Sequence, residues 1–265
     1  MEPMTNIALR AARKAGELIA RATENIDRLD IQSKSANDYV TEIDVGAERE
    51  IIYHLSKAYP DHGFLGEESG ASGNVDSDYQ WIIDPLDGTT NFIHGIPHFA
   101  VSIACKFKGK LEHAVVLDPM LREEFTASRG RGAQLNGRRI RVSKLSGLDG
   151  ALLGTGIPFK SRHQEQLPAY TDTLATLAGQ CAGIRRAGAA SLDLAYVAAG
   201  RLDGFWEIGL SEWDIAAGAL LITEAGGLIA DFNGGAGFLE SGNVVCGNPK
   251  CFKAVLQVVK PALAN

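Results

Sequence analysis

Two aspartates, Asp84 and Asp87, stand in the stretch Trp81-Ile82-Ile83-Asp84-Pro85-Leu86-Asp87-Gly88-Thr89-Thr90-Asn91-Phe92, where an apolar run meets a turn. Paired carboxylates are hard oxygen donors suited to a divalent cation such as Mg²⁺ or Mn²⁺. Gly88 lets the backbone approach a ligand closely, and a helix start at Thr89-Thr90-Asn91 has free N–H groups that attract an anion. Acids beside an anion cradle imply metal-assisted phosphate chemistry. Asp-Pro and Asp-Gly are also ordinary turn dipeptides, so the implication rests on other acids joining them. Glu67, in Gly66-Glu67-Glu68-Ser69-Gly70, and Asp214, in Trp213-Asp214-Ile215-Ala216-Ala217-Gly218, are the candidates. If the four converge, they form an all-oxygen site; Asp214 alone could be a helix cap. No His or Cys cluster favours zinc, and His94 and His98 are separated by Gly95 and Pro97, which argues against a shared helix face.

These residues need elements to hold them. Trp81, Ile82 and Ile83 read as a buried strand that Pro85 should break where the acids begin. Apolar residues at three- and four-residue spacing predict helices over residues 4–25 and 45–59. The polar segment 34–44 between them reads as a loop or edge hairpin leading to Asp44 as the cap of the second helix. Residues 70–78 read as a surface loop. Strands over 99–107, 111–117 and 123–128, with a hairpin turn at Asn136-Gly137, predict an antiparallel meander. From residue 151 strands and helices alternate: strands near 151–156, 202–208 and 228–231, helices near 164–178, 191–199, 213–225 and 248–259. No linker, repeat or composition shift divides the chain. One domain over 1–265 is expected, with halves of about 1–147 and 148–265 sharing one site.

Composition narrows the partner. At 265 residues with 45% apolar and 22% charged residues, the chain has ordinary globular values and can bury a large core. The net charge of −6 argues against direct nucleic-acid binding or an anionic membrane. Four scattered cysteines contain no C-x-x-C pair, and no apolar run is long enough for a membrane span. A cytoplasmic protein without signal peptide or membrane segment, acting on a small partner, is expected.

Glu67-Glu68-Ser69, the stretch from Trp81 to Phe92, and Trp213-Asp214-Ile215-Ala216-Ala217-Gly218 resemble, in order, the signature motifs of the inositol monophosphatase family. The resemblance covers essentially the whole chain and is strongest to the bacterial SuhB-type branch. It implies an αβαβα layered sandwich (α/β, α+β), a homodimer, two to three Mg²⁺ per site and inhibition by Li⁺. By resemblance Glu67, Asp84 and the Leu86 carbonyl match a first metal site, Asp84, Asp87 and Asp214 a second, and Glu67 borders a third. Thr89 paired with Asp44 matches the group that orients the attacking water, and the N–H groups of Gly88 and Thr89 match the phosphate cradle. Glu207 and the Gly188-Ala189-Ala190 turn match the region that holds the sugar or inositol ring. Asp44 could instead be only the cap of its helix. Of Arg185 and Arg186, Arg185 is taken as a contact to an anionic substrate; a solvated strand end or a subunit contact is the alternative.

The function implied is hydrolysis of myo-inositol 1-phosphate or related polyol phosphates by an activated water. Thr90-Asn91 matches the inositol monophosphatase pattern, whereas the branches acting on histidinol phosphate and 3′-phosphoadenosine phosphate tend to carry a basic residue at the place of Thr90. A second function follows from the SuhB-type resemblance: a role in transcription antitermination, through NusA and RNA polymerase, in which catalysis is secondary.

Overall fold

The protein is described by a computed structural model covering residues 2–28, 31–35, 38–158 and 161–264. The chain opens with helix α1 (Pro3–Ala22), whose apolar face carries Ala8, Leu9, Ala12, Ala15 and Ile19. Its predicted last turn tightens into a 3₁₀ segment, Thr23–Arg28. A hairpin of β1 (Ile31–Ser35) and β2 (Asp38–Thr41) follows, as expected for an edge hairpin. Ala36 and Asn37 of the predicted segment lie outside the described residues. Helix α2 (Glu42–Ala58) begins three residues earlier than expected for a cap at Asp44, because Thr41 is the cap and Asp44 the third helical residue.

Strands β3 (Gly63–Gly66), β4 (Gly70–Gly73) and β5 (Tyr79–Asp87) precede the short helix α3 (Thr89–Ile93). Residues 70–73 are therefore not loop: they pair with β3, a non-local contact that their Gly/Ser composition does not advertise. The meander is present as β6 (Ala100–Phe107), β7 (Lys110–Asp118), β8 (Glu123–Ser128), β9 (Gly132–Leu135) and β10 (Arg138–Arg139). These strands form an eight-stranded sheet in the order β10-β9-β8-β7-β6-β5-β3-β4, antiparallel except for β3 against β5. The second half supplies β11 (Leu152–Thr155), α4 (Leu167–Ala178), β12 (Gly183–Arg185), α5 (Ala190–Ala198), β13 (Gly204–Glu207), α6 (Glu212–Glu224), β14 (Leu228–Ala230), α7 (Phe238–Ser241), β15 (Val244–Gly247) and α8 (Pro249–Leu263). Its five strands form a mixed sheet, β12-β11-β13-β15-β14.

Side-chain alternation stacks these parts. Trp81 and Ile83 of β5 pack with α1 and α2, while Ile82 between them faces the opposite layer with α5 and α6. Phe205 and Cys246 of the second sheet reach the same α5/α6 layer from the other side. Trp206 and Val245 face outward to Tyr170 and Leu177 of α4 and Val255 and Val259 of α8. The result is the αβαβα order: α1/α2, eight-stranded sheet, α5/α6, five-stranded sheet, α4/α8. A strand buried on both faces reads as an unbroken apolar run, which is what Trp81-Ile82-Ile83 is.

Candidate active site

Asp84 and Asp87 are three residues apart, so in a regular strand their side chains would point to opposite faces. Pro85 does not end β5. Asp84 pairs with Ser102 and Asp87 with Ala100, so the segment between them has one residue more than its partner, a β-bulge. Bulges tolerate proline and re-aim side chains. The extra residue brings both carboxylates to one side, against a cavity of about 150 Å³.

Distant segments complete the group. Carboxylate oxygens of Asp84, Asp87 and Asp214 lie within 4.8 Å of one another, and Glu67 lines the same cavity. Asp84 is buried, and its carboxyl is held well above the usual range by burial first, then by Glu67, Asp87 and Asp214. Burial likewise pushes Asp87 up to about 6, against the hydrogen bonds of Ser191. Like charges crowded this closely call for a cation, and the donor set is all oxygen. It fits a divalent hard ion.

Each acid is also anchored. Asp84 Oδ1 accepts the Leu86 N–H (3.0 Å), which bends the chain toward Asp87. Asp87 Oδ2 accepts the N–H (2.7 Å) and hydroxyl (2.5 Å) of Ser191, so it caps α5 from across the cavity and ties the two halves together. Asp214 is the third residue of α6, with Oδ2 accepting the N–H of the cap residue Ser211 (2.7 Å). It is therefore not the cap itself. Glu67 follows β3, with its N–H donated to Ile83 O (3.1 Å).

Thr89 opens α3 after Gly88, whose φ of 98° is one that glycine adopts freely. A side chain at Gly88 would also crowd His98 O and Ala189 Cβ. The Thr89 hydroxyl has one proton and two acceptors at 3.0 Å, Asp44 Oδ1 and Leu86 O. Asp44 is buried, its other oxygen taken by the Thr41 N–H (2.9 Å) and hydroxyl (2.5 Å). Burial raises its carboxyl above the ordinary range, opposed by the Thr41 and Thr89 hydrogen bonds.

The same cavity is lined by Thr155, His163, Arg186, Ala190, Asp193 and Glu207. Glu207 is pushed well up by burial, then by Asp193, Asp214 and Asp87, and drawn down by Arg186. Arg185 is a correction. It is exposed on edge strand β12, bonded to Ile184 O (3.2 Å), and Arg186 reaches the cavity instead, because neighbouring residues of an extended chain face opposite sides. Of the remaining expected residues, Glu67, Asp84, Leu86, Asp87, Gly88, Thr89, Ala190, Glu207 and Asp214 line one cavity. Asp44 joins them through Thr89.

Sequence reasoning missed Asp193, Ser191 and, most consequentially, Glu48. Glu48 is buried one turn after Asp44, and its two oxygens accept the N–H groups of Glu68 (2.9 Å) and Ser69 (2.8 Å). It thereby holds the turn that carries Glu67. Gly66 leaves room for it, since a Cβ there would fall 2.3 Å from a Glu48 oxygen. The only sequence signal was an acid on the i+4 face shared with Asp44. Asn91 is structural: its amide donates to His98 O (2.8 Å) and Ala187 O (2.9 Å).

Comparison with known proteins agrees with this geometry. The model of the inositol monophosphatase family matches residues 1–262. The chain is 65% identical over 265 residues to a Nus factor SuhB of Pseudomonas aeruginosa, covering 99% of this chain and 98% of the relative. It is 54% identical to the Nus factor SuhB of Escherichia coli K12, covering 100% and 98%. Among solved structures, the extragenic suppressor protein suhB from Bartonella henselae aligns with a TM-score of 0.95 at 43% identity, covering 99% of this chain and all of that one. An IMPase of Thermotoga maritima aligns at 0.88 and 34% identity, covering 98% and 97%. On sequence, fold and the acids gathered at its cavity, the chain belongs to the inositol monophosphatase family.

Proposed function

We propose that the chain is a phosphomonoesterase that uses Mg²⁺, with Mn²⁺ as a substitute, to hydrolyse myo-inositol 1-phosphate and related polyol phosphates. The convergence of the Asp84, Asp87 and Asp214 carboxylates carries this assignment. Glu67, Asp84 and the Leu86 carbonyl are assigned to a first cation, and Asp84, Asp87 and Asp214 to a second, with Glu67 bordering a third. Cations bound there supply an acidified water and neutralise the leaving oxygen of an in-line displacement.

The chain's own groups orient and move the proton. With its hydrogen donated to Asp44, the Thr89 oxygen is left to accept from the attacking water, and Glu67 is the second acceptor. The Gly88 and Thr89 N–H groups hold phosphate oxygens. Ala190 and Glu207 hold the ring of the alcohol, with Arg186 rather than Arg185 beside them. The two halves act as one domain, in a cytoplasmic homodimer.

Asp84→Asn tests the assignment, because it removes a charge shared by both cations. Phosphate release from inositol 1-phosphate with Mg²⁺ should vanish while the circular dichroism spectrum is kept; an unchanged rate would sink the site. Li⁺ should inhibit the unsubstituted protein. A panel at fixed Mg²⁺ with glycerol 2-phosphate, fructose 1,6-bisphosphate and 3′-phosphoadenosine phosphate would place the substrate class.

The 65% identity to a Nus factor supports a second role, association with NusA and RNA polymerase. A pull-down with Asp84→Asn separates the two. Binding retained without catalysis supports independent roles, and no capture of either partner by the unsubstituted chain refutes the second.

A further inference from the structure

Helix α1 packs on β6, β7 and β8, and a second cavity, of about 250 Å³, lies where its first turn meets β8 and β9. It shares no lining residue with the acid cavity. Thr5 of α1, Thr126 and Ser128 of β8 and Gln134 of β9 line it, with Glu2 and Arg131. Thr126 and Ser128 are two apart on one strand and so share a face, and Gln134 is the direct partner of Thr126 across the β8–β9 ladder.

Its three hydroxyl residues are almost wholly removed from bulk water, Thr5 at 1%, Thr126 at 3% and Ser128 at 7% exposure. Two of them answer each other. Ser128 Oγ lies 2.7 Å from Thr5 Oγ1, which lies 2.9 Å from Nδ1 of His113, the partner of Ser128 on β7. With the His113 proton on Nε2, Thr5 donates to the imidazole and Ser128 donates to Thr5, so the Ser128 oxygen is left as an acceptor. Thr126 differs. Among the described residues its hydroxyl has no hydrogen-bond partner, and neither has the Gln134 amide. A polar group taken out of water without a partner is destabilising, so the Thr126 hydroxyl calls for a group inside the cavity.

The lining selects its ligand. Thr126 and the Gln134 amide each donate and accept, and Ser128 accepts, which is the complement of hydroxyl groups. Arg131 and Glu2 pair with each other at 3.3 Å on exposed side chains, so no charge is left over to hold an ion. Ala127 and Gly132 complete the wall, and no aromatic or long aliphatic side chain joins them, which argues against a ligand held by apolar contact. The volume falls just below the range of about 300–1,000 Å³ for drug-sized ligands. A compact neutral molecule covered in hydroxyls meets these terms: it can pair Thr126, Ser128 and Gln134 together and offer neighbouring hydroxyls to Arg131 and Glu2.

We propose that this second cavity binds a neutral polyol, independently of the site that gathers the acids. Neutral hydrogen bonds without an apolar anchor give weak binding, so the test is an NMR titration of backbone amides in the full chain with myo-inositol, without Mg²⁺, to about 50 mM. The amides of Thr126, Ser128 and Gln134 should shift saturably with one Kd. Thr126→Val keeps the side-chain shape and removes the hydroxyl; it should weaken this Kd about fivefold, the worth of one neutral hydrogen bond. Gln134→Ala, at a half-buried position, should weaken it by a similar factor and decides the matter if Thr126→Val lowers the melting temperature. Shifts confined to Gly88 and Thr89, or no saturable shift at all, would overturn the proposal. So would an unchanged Kd in Gln134→Ala, or tighter binding of inorganic phosphate or acetate than of inositol at these three amides.

Discussion

Helices α2 and α6 begin alike and end up doing different things. Thr41-Glu42-Ile43-Asp44 and Ser211-Glu212-Trp213-Asp214 both place a hydroxyl residue at the cap and an aspartate at the third helical position. In each, the aspartate accepts the cap N–H, at 2.9 and 2.7 Å. Capping occupies one carboxylate oxygen. What meets the rest of the group differs: Asp44 is sealed in and receives the Thr89 hydroxyl, whereas Asp214 shares a cavity with Asp84 and Asp87. One local motif thus yields a hydrogen-bond acceptor for Thr89 in one half and a member of the clustered acids in the other.

The two positions should therefore fail in different ways. Asp214→Asn keeps an oxygen for the Ser211 N–H but removes a charge from the acid group, so phosphate release should fall at least about a hundredfold with helix content unchanged. A loss of only a few-fold would leave Asp214 as the acceptor of the Ser211 N–H and nothing more. Thr89→Ala breaks the link to Asp44 and should lower kcat by about 10- to 100-fold while leaving Mg²⁺ affinity, read by calorimetry, nearly intact. If Mg²⁺ affinity fell in parallel, the division of labour between the two aspartates would collapse.

Glu48→Ala strips the acceptor from two buried-side N–H groups next to Glu67, and urea melts should show a loss of about 1–3 kcal/mol together with a smaller fall in activity. The smallest effect concerns pH. Because burial raises the Asp44 carboxyl above 3.8, the folded protein keeps this proton longer than the unfolded chain does. Its contribution is full below pH 3.8 and is lost as pH rises through the folded value. Asp44→Asn should remove that slope from the melting curve on the acid side, and an identical slope in both proteins would show that Asp44 does not titrate as described.

Much of the site was legible because its acids sit in long ordered motifs: Glu67 after an apolar stub, Asp84 and Asp87 at a strand end, Asp214 at a helix start. Short Gly-rich β4 and the unpredicted β15 were not, since four residues acquire strand identity only from the partner they meet. Arg185 and Arg186 are equivalent in composition, and only the strand's facing chose between them. Glu48 was invisible for a similar reason. A helical acid is ordinarily solvated, and nothing local says that another turn will bring N–H groups to it.

The sequence by itself determined which side chains could hold a cation and where helices and most strands would form. These depend on residue chemistry and local periodicity, which are written along the chain. Tertiary structure decided which side of β5 the two aspartates share, through one extra residue opposite Ser102 and Ala100. It also decided that Asp87 caps a helix 104 residues away in sequence. These are distances between segments remote along the chain, and they exist only once the layers have packed.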